Sequence, residues 1–231
     1  MNDQIQSSIP FVGLHAHSVA GSLFDALGYP NEHMDFCWQN GGDALALTDH
    51  GNANGLSHQV LHAKKMKEEG KSFKPIFGTE AYFIPSISEW REEYERALAD
   101  KKRAKTLGSE LSGATVEDEN SSKKIQSVLR RRRHLILLAQ NQVGLQNIFK
   151  LISESYKSEN FYRYPRMDYD LLAKYSEGVI AASAYLGGVY SGNYWENREA
   201  GDEAVLEAMR ETTRKMMSIF GDRWYGELQW N

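Results

Sequence analysis

Ala44-Leu45-Ala46-Leu47-Thr48 is an apolar run too short for a helix. Turn residues bound it, Gly41-Gly42 before and Asp49-His50-Gly51 after, so it reads as a buried strand with polar chemistry at its exit. The same arrangement recurs on both sides. Upstream, Phe11-Val12-Gly13-Leu14 is a first short strand ending at His15. Between the two, Tyr29-Pro30-Asn31 opens a helix, with proline at its start and glycine past its end. Downstream, Leu56, Val60, Leu61, Ala63 and Met66 keep helical spacing as far as Gly70, and Pro75 to Ile84 gives a third strand. His134 to Ala139, Gly178 to Ala182 and Trp224 to Leu228 add further strands. Helical spacing returns at Leu145, Ile148, Phe149 and Ile152 and again over Ala204 to Ile219. Strands alternating with helices predict an α/β fold with largely parallel strands, either a barrel or an open doubly wound sheet. In both, reactive residues gather at the C-terminal ends of strands.

Composition narrows the class of protein. A chain of 231 residues can bury a core without staples, and 41% hydrophobic with 25% charged residues excludes collagen-like and low-complexity chains. The single cysteine, Cys37, excludes a disulfide framework and points to a reducing compartment. A net charge of −4 gives no global basic field for nucleic acid, so any such contact is local. No apolar run reaches the ~20 residues of a membrane span, and the N-terminus lacks the pattern of a signal peptide. A cytoplasmic protein with one domain over residues 1–231 is expected, with no membrane partner. Residues 86–130 stand apart as a charged surface insertion. It runs through helix-prone Arg91 to Lys105 and a polar loop at Gly108 to Lys124; Arg130-Arg131-Arg132-Arg133 could meet phosphates, but a solvated face is expected there.

The polar residues fall where the strand-end rule predicts. His15 and His17 follow the first strand, Asp25 lies in the loop after it, and Asp49 and His50 follow the second. Glu80 lies in the third, and His134 opens the fourth. Imidazoles and carboxylates are the donors that zinc, manganese or iron take, and two histidines one residue apart in an extended segment point the same way. Carboxylates in such a cluster can bridge two ions ~3.5–4 Å apart, the arrangement used for phosphoester hydrolysis. Without a cysteine nearby, the pattern is catalytic in type rather than structural. His33, His58 and His62 lie on predicted helices, where a packed or solvated role is expected.

Leu14-His15-Ala16-His17-Ser18, Leu45-Ala46-Leu47-Thr48-Asp49-His50-Gly51-Asn52 and Lys74-Pro75-Ile76-Phe77-Gly78-Thr79-Glu80 resemble successive motifs of the PHP (polymerase and histidinol phosphatase) domain. Later segments resemble the version at the N-terminus of the alpha subunit of bacterial and phage DNA polymerase III. They are His134-Leu135-Ile136-Leu137-Leu138-Ala139 with Gly144-Leu145-Gln146-Asn147, Tyr164-Pro165-Arg166-Met167-Asp168, Gly178-Val179-Ile180-Ala181 with Leu186-Gly187-Gly188, and Phe220-Gly221-Asp222 with Glu227-Leu228-Gln229.

The resemblance implies a distorted (β/α)7-type barrel whose cleft holds two or three divalent ions. It implies metal ligands at His15, His17, Asp25, His50, Glu80 and His134, with Asp25 offset by one residue from the usual spacing. Asp49 and His50 are assigned to catalysis, Asp49 by holding a metal-bound histidine in its tautomer. The implied activity is that of a hydrolase: 3′–5′ exonuclease or phosphoesterase chemistry on a DNA 3′ end, beside the nucleotidyltransferase core of the polymerase as partner. A free-standing phosphatase for a small phosphate ester and an inactive scaffold for a polymerase core are the alternatives. Two departures bear on this choice. Ser183-Ala184-Tyr185-Leu186-Gly187-Gly188 puts Tyr185 where the family has a cysteine ligand, and a phenol with a pKa near 10 is a poorer ligand. The family's Asp-x-His pair is also absent, so the barrel is expected to stop before its last strand.

Overall fold

The computed structural model describes residues 11–110 and 116–229. β1 (Ala44–Leu47) is buried along its whole length and lies parallel to the first half of β2 (Lys74–Phe83), from Ala44 opposite Lys74 to Leu47 opposite Phe77. On the other side of β1, Gly13 bridges Leu45, and Ala46 N donates to Gly13 O at 2.8 Å. The expected first strand is therefore an extended segment held to β1 by isolated bonds. The second half of β2 pairs with β3 (Arg133–Ala139), from Gly78 opposite Leu138 to Phe83 opposite Arg133. Its last two residues also lie beside β5 (Tyr164–Met167). β5 folds back on β4 (Phe161–Tyr162) about Arg163, which turns with φ of 58°. β6 (Val179–Ala182) pairs with β3, and β7 (Trp224–Tyr225) with β6.

Most strands run one way, but the expectation of parallel pairing fails at β3. This strand is antiparallel to both β2 and β6. The cause is the segment between β2 and β3. α3 (Ile87–Glu110) and α4 (Val116–Arg130) carry the chain out and back, so it re-enters the sheet at the end where β2 left it. A single crossover helix would have brought it back at the opposite end. The expected loop at 108–124 is also corrected, since Val116 to Lys124 is helical; residues 111–115 lie outside the described residues. Ile125, Val128 and Leu129 recur at helical spacing and give α4 one apolar face, which meets Trp90 and Ala97 of α3. The insertion thus has its own small core. Arg166, fully buried, joins it to the sheet by donating to the carbonyls of Leu129, Arg131, Tyr162 and Tyr164, with Trp90 stacked 4.4 Å from its guanidinium.

The remaining helices cover the sheet. α1 (Pro30–Gln39) and α2 (Leu56–Glu68) pack Met34 and Met66 against Leu45 and Leu47. α5 (Gln142–Ser155), α6 (Tyr169–Lys174) and α8 (Asp202–Phe220) place Ile148, Leu151, Leu172, Met216 and Phe220 over Ala81, Leu135, Leu137 and Ala181. α7 (Val189–Asn197) adds Val189 to this main core. Asn141 caps α5 by accepting from Gly144 N at 2.9 Å, and Asp168 caps α6 from Leu171 N at 3.0 Å. Gly144 admits no side chain, because a Cβ there would lie 1.7 Å from Gly178 O. No helix among the described residues is long and apolar enough to cross a membrane.

Candidate metal centre

Glu80 lies in the middle of β2 with no exposed surface. A carboxylate taken out of water this completely needs hydrogen-bonding partners. It has three: His15 Nε2 donates to it at 2.8 Å, His17 Nε2 lies at 2.9 Å, and His134 Nδ1 makes a short bond to its other oxygen. His50 Nδ1 is 3.5 Å away. The four histidines arrive from three segments of the chain. His15 and His17 share one face of the extended N-terminal segment, their rings edge to face at 5.1 Å. His50 leaves the end of β1, bridges Glu80 through the backbone, and stacks on His17 at 4.3 Å. His134 opens β3 opposite Tyr82, and because β3 is reversed this opening lies at the cleft.

The electrostatics follow from these contacts. Burial works against a charge on His15, but its bonds to Glu227 at 2.7 Å and to Glu80 prevail and raise its pKa to about 9. Burial likewise works against the charge on Glu80, yet His134, His15 and His17 hold its carboxyl well below the usual range. His50 goes the other way. Burial lowers its pKa, although Glu80 and Asp25, whose carboxylate lies 2.6 Å from Nε2, pull upward. Burial also pushes the Tyr82 phenol up to about 12 and raises that of Tyr185.

Asp49 serves the loop rather than a histidine. Its carboxylate accepts from Ser18 N at 2.7 Å, Ser18 Oγ at 2.8 Å and Ser22 Oγ at 3.0 Å. Ser22 Oγ in turn accepts from His50 N at 3.0 Å, so Asp49 fixes the turn that carries Asp25 and the start of the His50 loop. Gly21 is required there, since a Cβ would fall 2.4 Å from Asn52 Oδ1 and 2.6 Å from Asp49. Tyr185 stands with its ring edge against His15 and His134, at 5.7 and 5.6 Å, on the wall of the same cleft. His33, His58 and His62 lie on α1 and α2 as expected, and His62 pairs with Asp35 at 2.8 Å.

Two neighbours escaped the sequence reading. Glu227 and Gln229 both reach His15 Nδ1, at 2.7 and 3.0 Å, although 212 and 214 residues separate them from it. Both stand in the Glu227-Leu228-Gln229 segment that carries part of the resemblance, but nothing in that segment points to His15.

The donor set fits divalent ions. His15, His17 and Glu80, then His17, Asp25 and His50, then His50, Glu80 and His134 each bring three ligand atoms within 4.8 Å of one another. His17 Nδ1 and His50 Nδ1 are buried without a hydrogen-bond partner, as ligand nitrogens are before an ion arrives.

The family model of the PHP domain matches residues 13–231. The chain belongs to the PHP family. Curated relatives of this PHP domain are DNA polymerase III alpha subunits. That of Aquifex aeolicus is 36% identical over 224 residues, which cover 96% of this chain and 16% of the relative. That of Borreliella burgdorferi is 33% identical over 219 residues, covering 95% and 15%. The PHP chain therefore spans less than a fifth of the length of these relatives. A solved structure from Bifidobacterium adolescentis, described as that of a metal-dependent phosphoesterase, superposes with a TM-score of 0.38 at 13% identity, covering 95% of this chain and 87% of that one. That likeness is too loose to bear on the chemistry.

Proposed function

We propose that this chain is the PHP domain of a DNA polymerase III alpha-like protein, and that its cleft is a metal-dependent phosphoesterase site. Its substrate is the phosphodiester at a DNA 3′ end, and its partner is a polymerase core, in the same chain or another. The observation that carries the reading is the donor set around Glu80. Four histidines and two carboxylates converge there, with two buried imidazole nitrogens unpartnered.

His15, His17, Asp25, His50, Glu80 and His134 would hold the ions, of the zinc, manganese or iron type. When bound, such ions supply positive charge toward phosphoryl oxygens and lower the pKa of water. The chain's own residues do the rest. Glu80 fixes the orientation of His15, His17 and His134 at once. Glu227 holds His15 through its other nitrogen. Asp49 sets the turn through Ser18 and Ser22. The phenol of Tyr82, raised to about 12, stays protonated at neutral pH beside His50.

Elemental analysis of the purified protein tests the site: zinc, manganese or iron is expected, with less in His15→Ala. A 5′-labelled primer beside a generic phosphomonoester tests the substrate. Shortening of the primer supports the reading, and hydrolysis of the monoester alone would replace it with a small-molecule phosphatase. Absence of metal under every loading condition would leave a scaffold for a polymerase core.

A further inference from the structure

The run Arg130-Arg131-Arg132-Arg133 does not form the uniform solvated face that its composition suggests. Arg130 ends α4 and is exposed. From there the chain runs through Arg131 and Arg132 into β3, and neighbouring side chains leave on different sides. Arg131 and Arg133 take the face turned toward carboxylates. Arg131 meets Glu93 through two bonds, at 2.6 and 3.0 Å, and Arg133 pairs with Glu196 and donates to Val189 O and Asn193 Oδ1. Arg132 takes the other face, with His134. It has no carboxylate partner among the described residues.

That face is the metal cleft. The guanidinium of Arg132 lies 3.9 Å from the centre of the Tyr164 ring and 5.5 Å from that of Tyr82. Tyr82 is stacked on His50 at 5.7 Å with an angle of 6° between the rings, and it meets His134 edge to face at 5.4 Å. Of its five N–H donors, one goes to Arg130 O at 3.2 Å, and Nε is buried with no partner. A guanidinium lying over two tyrosine rings, with unused donors, beside the candidate metal cluster is a planar fork for oxygens. Arg166 cannot take this part, because all its bonds go to backbone carbonyls.

Resting on the phosphoesterase reading above, we infer that Arg132 binds a phosphate oxygen of the substrate, with Tyr164 and Tyr82 as the platform that holds its guanidinium over the cleft. It is a positioning and specificity residue rather than a metal ligand. The oxygens belong either to a phosphate along a DNA strand or to an isolated phosphate, and the two sources are separated by experiment.

The test uses the full chain loaded with manganese, with metal content measured in each variant. Binding is followed with a fluorescent oligothymidylate by anisotropy and with inorganic phosphate by calorimetry, for wild type, Arg132→Gln, Arg132→Lys and Arg131→Gln. Arg132→Gln should weaken binding about tenfold or more, as loss of a charge-assisted bond does. Arg132→Lys should recover part of it, and Arg131→Gln should leave it within about twofold, as expected for an exposed pair turned away from the cleft. In the oligonucleotide arm the slope of log K against log salt should also fall by about 0.7, the signature of one lost phosphate contact on a single strand. An effect in that arm alone assigns the oxygens to a DNA strand, and an effect in the phosphate arm alone assigns them to an isolated phosphate. Unchanged binding of both probes by Arg132→Gln overturns the inference, as does loss of metal in that variant or failure of the wild type to bind either probe. A wild type without metal is a separate result: it defeats the phosphoesterase reading, and the salt slope still decides the arginine.

Discussion

The His15 end and the His50 end of the centre hang on the same carboxylate and are satisfied differently. His15 has both nitrogens engaged, one with Glu80 and one with Glu227, and it holds its proton to a pKa of about 9. At the other end, His17 and His50 each keep a buried Nδ1 without a hydrogen bond, and burial lowers the pKa of His50. One end is stabilised by charge already present in the chain. The other keeps two buried imidazole nitrogens that no hydrogen bond of the chain satisfies and that a cation would engage.

Four substitutions would break or sharpen this contrast. The largest effect belongs to Glu80→Ala, which removes the partner common to both ends. Metal-free protein should lose about 3 kcal/mol or more in chemical denaturation, the usual result of breaking a buried ion pair. A loss below about 1 kcal/mol would mean that the histidines are held by packing alone.

His50→Ala comes next. Competition with a chromophoric chelator should show metal affinity falling by ~100-fold or more, whereas Glu227→Gln, acting through the second nitrogen of His15, should cost nearer ~10-fold. Equal losses would erase the distinction between the ends.

Glu227→Gln makes its own prediction in the absence of metal. The pKa of His15 is raised from 6.5 to about 9, so its contribution to stability is complete below pH 6.5 and is lost as pH rises through 9. The variant should lower the His15 pKa by at least about one unit, removing on the order of 1 kcal/mol of that pH-dependent stability. Imidazole NMR titration together with denaturation at pH 6 and pH 9.5 measures both; a wild type equally stable at the two pH values would contradict the assignment. The smallest effect is expected for Asp25→Asn. Its half-exposed carboxylate pairs with His50 in contact with water, and a change of about 0.5 kcal/mol or less is expected in metal-free denaturation.

Much of this centre was legible because the residues proposed to hold the ions stand at or near the ends of short apolar runs. Phe11 to Leu14 delivers His15, Ala44 to Thr48 delivers His50, and Lys74 to Phe77 leads to Glu80. His134 fitted the rule poorly, since it opens a strand. The reversed direction of β3 resolves this, and strand direction leaves no mark in a run of leucines and isoleucines. Glu227 was not legible as a partner of His15, because contacts across 212 residues are set by how the sheet curves. The arginine run was misread for a simpler reason. Four like charges in sequence look equivalent until the passage from α4 into β3 sends Arg132 to a different side from Arg131 and Arg133.

The α3–α4 hairpin also acts as a parity rule for the site. With two helices between β2 and β3, the chain returns to the edge it left, and His134 meets Glu80. Lengthening both helices together conserves that parity. Deleting either helix reverses it. β3 would then enter from the far edge, and its first residue would stand a strand length away, about 20 Å for seven residues. The insertion, remote from the chemistry along most of its length, decides by the count of its helices whether the centre has its fourth imidazole.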